Sequence, residues 1–272
     1  MPSTQERTWR AGRFWWDCPR PDEVSVYPVR AVILDLDALT DLECDGHRVV
    51  FNAAFAAHGL PIRWSVPRYR QLLTLRDERQ RVVAELRKRC VGTECDVLTE
   101  MLADEICATK AMMFEEMILD VGLAPRQGLV DLVMDAFAAG IPVCVVTRGR
   151  RSWAEALVRQ LVGDGLVETI VTADDVMSAD PTEAYQLALR ELGVSPQQAI
   201  AISGSAAGLR TATSAGLATI LVGGDVAAPR DVAAAAAIRA DYAGAEPLGI
   251  ATCERLLTQW WTSKPAKTPS AA

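Results

Sequence analysis

Lysine is scarce in this sequence: four lysines stand against 24 arginines in 272 residues, and none lies between Lys110 and Lys264. That bias is the mark of GC-rich coding, in which lysine drifts to arginine, so a position that needs a cation is expected to keep an arginine. Net positive charge is missing too. The formal charge is −7, and phosphate backbones select basic faces, which sets general nucleic-acid binders aside. No apolar run reaches the roughly 18 residues of a membrane span. The opening MPSTQERTWRAGRFWW lacks the apolar stretch and small-residue cleavage site of a secretory signal, so the expected compartment is the cytoplasm. The seven cysteines form no CxxC pair and no Cys/His cluster. Cys90 and Cys95 flank VGTE, too wide for a zinc knuckle, and the expectation is reduced, mostly buried thiols.

What is present is an ordinary globular composition, 50% hydrophobic and 23% charged, in a chain long enough for a large core with an insertion. Residues 1–28 carry Trp9, Trp15 and Trp16 among charges and prolines. They predict an arm that packs over the core or binds a protein partner. VRAVILDLD follows, a short apolar run ending in two acids, as a central parallel strand should read. From 41 to 120, RVVFNAAFAAHG, PRYRQLLTL, ERQRVVAELRKRC and DVLTEMLADEICATKAMMFEEMI show helical spacing and predict a bundle of about four helices. From 121 to 262, strands such as IPVCVVT, QAIAISG and LATILVGG alternate with helices, the pattern of βαβ units. The predicted fold is α/β: a doubly wound, Rossmann-like parallel-sheet core over 29–40 and 121–262, a helical cap inserted at 41–120, and a disordered tail at 263–272. Functional groups in such sheets gather at the carboxyl ends of strands, where Asp35, Asp37, Thr147 and Ser203 fall.

The segment DLDALTDLECDGHRVVFNAAFAAHGL resembles the first motif of haloacid-dehalogenase-like (HAD) phosphatases, usually Asp-x-Asp-Gly-Thr-Leu. It resembles in particular the CbbY and β-phosphoglucomutase branch, with Asp35, Asp37, Glu43, His47 and Arg48 in register. The likeness runs through PRYRQLLTL and ERQRVV to ADYAGAEPLGIATCERLLTQWW, nearly the whole chain beyond residue 28. It implies that Asp35 attacks phosphorus to form an aspartyl-phosphate and that Asp37 handles the leaving-group proton. It implies Mg2+ held by the Asp35 carboxylate and the Asp37 backbone carbonyl, and a phosphoryl group held by Thr147. Ser205 keeps its place in the last motif. Arg79 and Arg81 stand in register with a Lys and an Arg of the CbbY specificity loop and, with His47, would hold the distal phosphate of a sugar phosphate. Two bland alternatives remain: acids after a strand also cap turns, and helical arginines also line solvated faces.

Other motifs depart from the family. SADPTEAYQLAL stands where a lysine normally bridges nucleophile and phosphate, leaving Ala179 and Asp180 as the candidates. AISGSAAGLRTA places Ser203 and Gly204 where metal-binding acids belong, and Ala38, Leu39 and Thr40 replace Gly-Thr-Leu. Magnesium keeps one carboxylate and one carbonyl, too few charged ligands for tight binding. Each missing electrostatic clamp costs about 2–4 kcal/mol of barrier. Asp174 and Asp175 offer little rescue for the metal. Arg148, Arg150 and Arg151 either neutralise phosphate directly or begin a solvated helix. The expected function is therefore a sugar-phosphate phosphatase type with an impaired site acting on a small phosphorylated metabolite, using Mg2+ if active. The alternative is a non-catalytic descendant that binds a phosphometabolite or a protein. Metal-free haloacid dehalogenation carries little weight, because Asp37 is retained and the lysine is missing.

Overall fold

Five consecutive buried residues, Ala31–Asp35, form the strand β3 around which the molecule is laid out. The computed structural model describes residues 7–10, 13–16, 28–75, 77–90, 96–178, 180–223 and 233–263. Ala179, the tail beyond Ser263, and the arm's tryptophan side chains lie outside the described residues. In the arm, β1 (Arg7–Arg10) and β2 (Arg13–Trp16) pair antiparallel.

The main sheet also contains β4 (Val143–Val146), β5 (Thr169–Val171), β6 (Ala199–Ser203), β7 (Ala218–Val222) and β8 (Ala237–Arg239). All its pairings are parallel, in the order β5-β4-β3-β6-β7-β8. β3, β4, β6 and β7 are buried along their whole length, as strands covered on both faces must be. One layer brings α6 (Leu129–Ala138), α7 (Arg151–Val162) and α10 (Ile250–Ser263) against Val32, Leu34, Ile200 and Ile202. The other sets α8 (Glu183–Glu191) and α9 (Ala206–Ser214) on Ile33, Cys144, Ala199 and Ala201. The doubly wound parallel sheet is thus as expected. The pair β1–β2 and the edge strand β8 are additions; β8 has only three residues, none fully buried, so it carries almost no periodic signal.

Between β3 and α6 the chain is helical: the single turn α1 (Leu36–Leu39), a π-turn over Leu42–His47, then α2 (Arg48–Ala57), α3 (Val66–Leu72), α4 (Glu78–Lys88) and α5 (Asp96–Met117). These helices own a separate apolar centre of Phe51, Phe55, Trp64, Tyr69, Leu86 and Ile106. Trp64 lies 4.9 Å from Phe51, 4.8 Å from Phe55 and 5.4 Å from Tyr69, ring centre to ring centre. Each fully buried side chain of this size contributes roughly 1.5–3 kcal/mol, which lets the insertion hold its own shape. No helix among the described residues is long and apolar enough to cross a membrane.

Candidate active site

The β3–β6 register pairs Leu34 with Ile202, so Asp35 and Ser203 leave their strands side by side. Asp35 caps α1. Its Oδ1 accepts the Ala38 N–H at 2.8 Å and the Gly204 N–H at 3.0 Å, and its Oδ2 accepts the Ser203 hydroxyl in a short hydrogen bond. Both Oδ2 and the Ser203 oxygen press on the bare backbone of Gly208 in α9, where a Cβ would overlap them. Burial raises the Asp35 pKa above the ordinary 3.8, against the opposing pull of Ser203, Gly204, Ala38 and Arg126. Burial, then the charge of Asp35, pushes Asp37 up to about 7, with a hydrogen bond from Ser205 pulling the other way. Ser205 also caps α9 through the Gly208 N–H at 3.1 Å.

The family's magnesium can be tested against these groups. Mg2+ demands about six oxygens in near-octahedral array at about 2.0–2.1 Å. Both Asp35 oxygens already accept protein donors. The Asp37 carbonyl accepts Arg126 Nε at 2.9 Å. Against that same carbonyl lies the backbone of Gly204: a Cβ there would overlap the Asp37 carbonyl and come within 2.6 Å of Ala38 N. Among the described residues no group of three or more His, Cys, Asp or Glu side chains is placed to hold a metal. These residues do not fit magnesium.

A cleft of about 590 Å³ opens over Asp35 and Asp37, walled by Thr147, Arg148, Arg150, Trp153, Tyr185 and Ser205 of the core and by Glu43, His47, Lys110 and Phe114 of the helical insertion. Thr147 Oγ accepts the Gly149 N–H at 3.0 Å, which leaves its hydroxyl proton to donate into the cleft. Arg150 reaches across to Glu115 at 3.5 Å, whereas Arg151 turns outward to Asp175 at 2.6 Å. Asp174 accepts the Arg151 N–H and Asp175 caps Thr172, so neither acid is available to a metal.

On the helical side, Glu43 accepts the Tyr69 hydroxyl at 2.8 Å and lies 3.7 Å from Arg81, and burial raises its pKa. His47 stacks on Phe114 at 4.5 Å, and burial, aided by Lys110 and Arg81, lowers it to about 3. It enters the cleft as a neutral ring. Arg81 stays behind Glu43 and does not line the cleft. Arg48 is turned inward, bonded to the carbonyls of Cys44 at 2.8 Å and Trp64 at 3.2 Å, where it ties the π-turn to the loop before α3. Arg79 sits on the outer face, held by Asp104 at 2.6 Å and Glu100 at 3.2 Å. Those two arginines are structural ties rather than cleft residues.

Two cations were not singled out from sequence. Lys110 is 5% exposed, bonded to Glu78 at 2.5 Å, with the Phe51 and Phe114 rings 5.0 and 5.1 Å from its nitrogen. Its signal was visible, since it falls between buried Ile106 and Phe114 on one stripe of α5. Arg126 had none: it occupies an irregular segment, and only tertiary contact brings it to Asp37.

An acid pair at the end of the central strand of a doubly wound parallel sheet, beneath a helical insertion, defines the class. Residues 29–216 match the haloacid dehalogenase-like hydrolases, and the chain belongs to that family. Within it the chain falls in the CbbY and β-phosphoglucomutase-like branch. It is 34% identical over 197 residues to Protein CbbY of Cereibacter sphaeroides, covering 71% of this chain and 84% of the relative. It is 31% identical to the CBBY-like protein of Arabidopsis thaliana, over 90% of this chain and 80% of that one. The crystal structure of CbbY from Rhodobacter sphaeroides in complex with phosphate matches with a TM-score of 0.58 at 31% identity, covering 77% of this chain and 93% of the other.

Proposed function

We propose that this chain is a protein of the sugar-phosphate phosphatase type whose cleft still takes a small phosphorylated metabolite while magnesium-dependent hydrolysis is weak or absent. The observation that carries the reading is the closure of the Asp35 carboxylate, with both oxygens held by Ala38, Gly204 and Ser203. Oδ2 keeps a lone pair for phosphorus, but hydrogen bonds to a carboxylate each contribute about 1.5–3 kcal/mol and, by stabilising its charge, weaken it as a nucleophile. The substrate class rests on the relatives. CbbY has been solved with phosphate and, in mutant form, with xylulose-(1,5)bisphosphate. Validoxylamine A 7'-phosphate phosphatase of Streptomyces hygroscopicus is 28% identical over 189 residues. In this reading residues 41–120 act as the cap, and Glu43, His47 and Lys110 meet the end of the ligand remote from Asp35.

Residual turnover runs through an Asp35 oxygen forming the bond to phosphorus while the ester oxygen departs. Asp37, pushed up to about 7, holds a proton for that oxygen. Water then cleaves the aspartyl-phosphate, with Asp37 as base. Two missing electrostatic groups place the rate roughly 10⁴-fold below that of an intact site. The test is hydrolysis of para-nitrophenyl phosphate and a panel of sugar phosphates, with and without Mg2+. Ordinary turnover that disappears in Asp35→Asn overturns the proposal. The second reading, a binder with no hydrolysis at all, is favoured by Gly204 lying against the Asp37 carbonyl. It predicts ligand binding with no detectable phosphate release.

A further inference from the structure

Arg126 is anchored twice to the turn that carries the acid pair. Its main-chain N–H donates to the Leu39 carbonyl at 2.8 Å and its Nε to the Asp37 carbonyl at 2.9 Å. The end of its guanidinium lies beside Gly223, whose missing Cβ would sit 3.7 and 3.8 Å from the two terminal nitrogens and 3.6 Å from the Gly204 carbonyl. The guanidinium thus packs at ordinary contact distance along the end of β7, with its Nε turned to the acid-bearing turn. We propose that the Arg126 guanidinium replaces the divalent ion at this site, as a fixed cation bonded to the carbonyl that would ligate the metal, so that the cleft binds phosphate without any metal.

The physical case is one of charge and geometry. Asp35 and Asp37 sit at the floor of the cleft, and even with a proton on Asp37 a phosphate dianion is repelled by the Asp35 carboxylate unless a cation lies near. Arg126 supplies that cation: its Nε lies 2.9 Å from the Asp37 carbonyl, on the turn that carries both acids. Guanidinium suits the position, because it is permanently charged, weakly hydrated and planar, and packs there without the octahedral oxygen shell that Mg2+ demands. Arg126 does not line the cleft itself. It acts through the acid pair, as a positioning residue, while Thr147 and Arg148 face the ligand.

The inference rests on the cleft being a phosphate site, and the experiment separates the two ideas. Inorganic phosphate is titrated calorimetrically into the full chain, once in EDTA and once with Mg2+. Binding that is equal within about twofold in the two buffers is expected, together with at least about tenfold weaker binding in Arg126→Gln and near-parental binding in Arg126→Lys. The lysine variant keeps the charge but not the planar fork, so its recovery marks an electrostatic role that mere packing would not produce. Should Arg126→Gln fold poorly, Mn2+ titration of the parent chain followed by electron paramagnetic resonance carries the test, with no tightly bound Mn2+ expected. Phosphate binding that requires Mg2+, a stoichiometric Mn2+ site, no phosphate binding in either buffer, or Arg126→Gln binding like the parent overturns the inference. Ordinary hydrolysis in EDTA overturns the proposed impairment while leaving Arg126 in its role.

Discussion

Placing an acid at residue 204 is the obvious attempt to build a magnesium site, and the geometry predicts that it fails. A Cβ on Gly204 would lie 2.6 Å from Ala38 N and closer still to the Asp37 carbonyl, whereas real Cβ atoms essentially never approach within 3.0 Å. The obstructing atoms are backbone, so Gly204→Asp must move the β6–α9 loop or the α1 turn. Overpacking of this kind costs about 1–3 kcal/mol. The same movement strains the Gly204 bond to Asp35 and the Arg126 bond to Asp37. Charge-assisted bonds of that type contribute about 1.5–3 kcal/mol each. Taken at full value the variant loses roughly 4–9 kcal/mol, a large share of the 5–15 kcal/mol typical of a folded chain. Urea unfolding should show the loss, and phosphatase assays with Mg2+ should show no gain, even when Asp180→Lys is added. A Gly204→Asp chain as stable as the parent and hydrolysing phosphomonoesters with Mg2+ refutes the reasoning.

The chain has only two histidines, which makes His47 easy to follow by NMR. Its ring, held at about 3 rather than 6.5 chiefly by burial, should show no titration between pH 5 and pH 8. The unfolded chain takes up that proton first as pH falls below 6.5, so His47 makes the fold less stable towards acid, and His47→Phe should flatten that dependence in thermal melts. Glu85 behaves oppositely. Burial alone would raise it, but Arg89 at 2.6 Å and Arg68 at 2.8 Å more than offset that and hold it below 4.5. Its contribution is complete above the ordinary glutamate value and fades as pH falls through the depressed one. Glu85→Gln should cost about 1–3 kcal/mol in denaturant unfolding at neutral pH, discounted because the arginines are partly exposed. Trp64→Ala, at a site fully buried against Phe51, Phe55 and Tyr69, should cost about 3–5 kcal/mol by the same method. Arg79→Ala should leave phosphate affinity unchanged in calorimetry, because its partners are Asp104 and Glu100 on the outer face.

How far the sequence could be followed depended on the range of the interaction concerned. Continuous apolar runs located β3, β4, β6 and β7, which are covered on both faces, and the 3.6-residue repeat of one buried face located the helices around them. The acid pair Asp35/Asp37 and Thr147 were legible for the same reason, as strand ends. The resemblance to the CbbY branch puts Arg48 and Arg79 in register as ligand-binding cations, yet one folds inward onto two carbonyls and the other outward onto two carboxylates. Which way a long side chain turns depends on neighbours remote in sequence.

The sequence by itself determined the doubly wound core, the helical insertion and the family, and it set Ser203 and Gly204 where the resemblance implies metal-binding acids. Only the tertiary structure decided what surrounds those two positions. Gly204 closes onto Asp37, Ser203 takes an oxygen of Asp35, and Arg126 arrives from a segment 89 positions away to hold the Asp37 carbonyl. The physical reason is that a missing ligand is a local fact, readable one residue at a time. Its replacement depends on packing and on hydrogen-bond donors that converge only when the chain is folded.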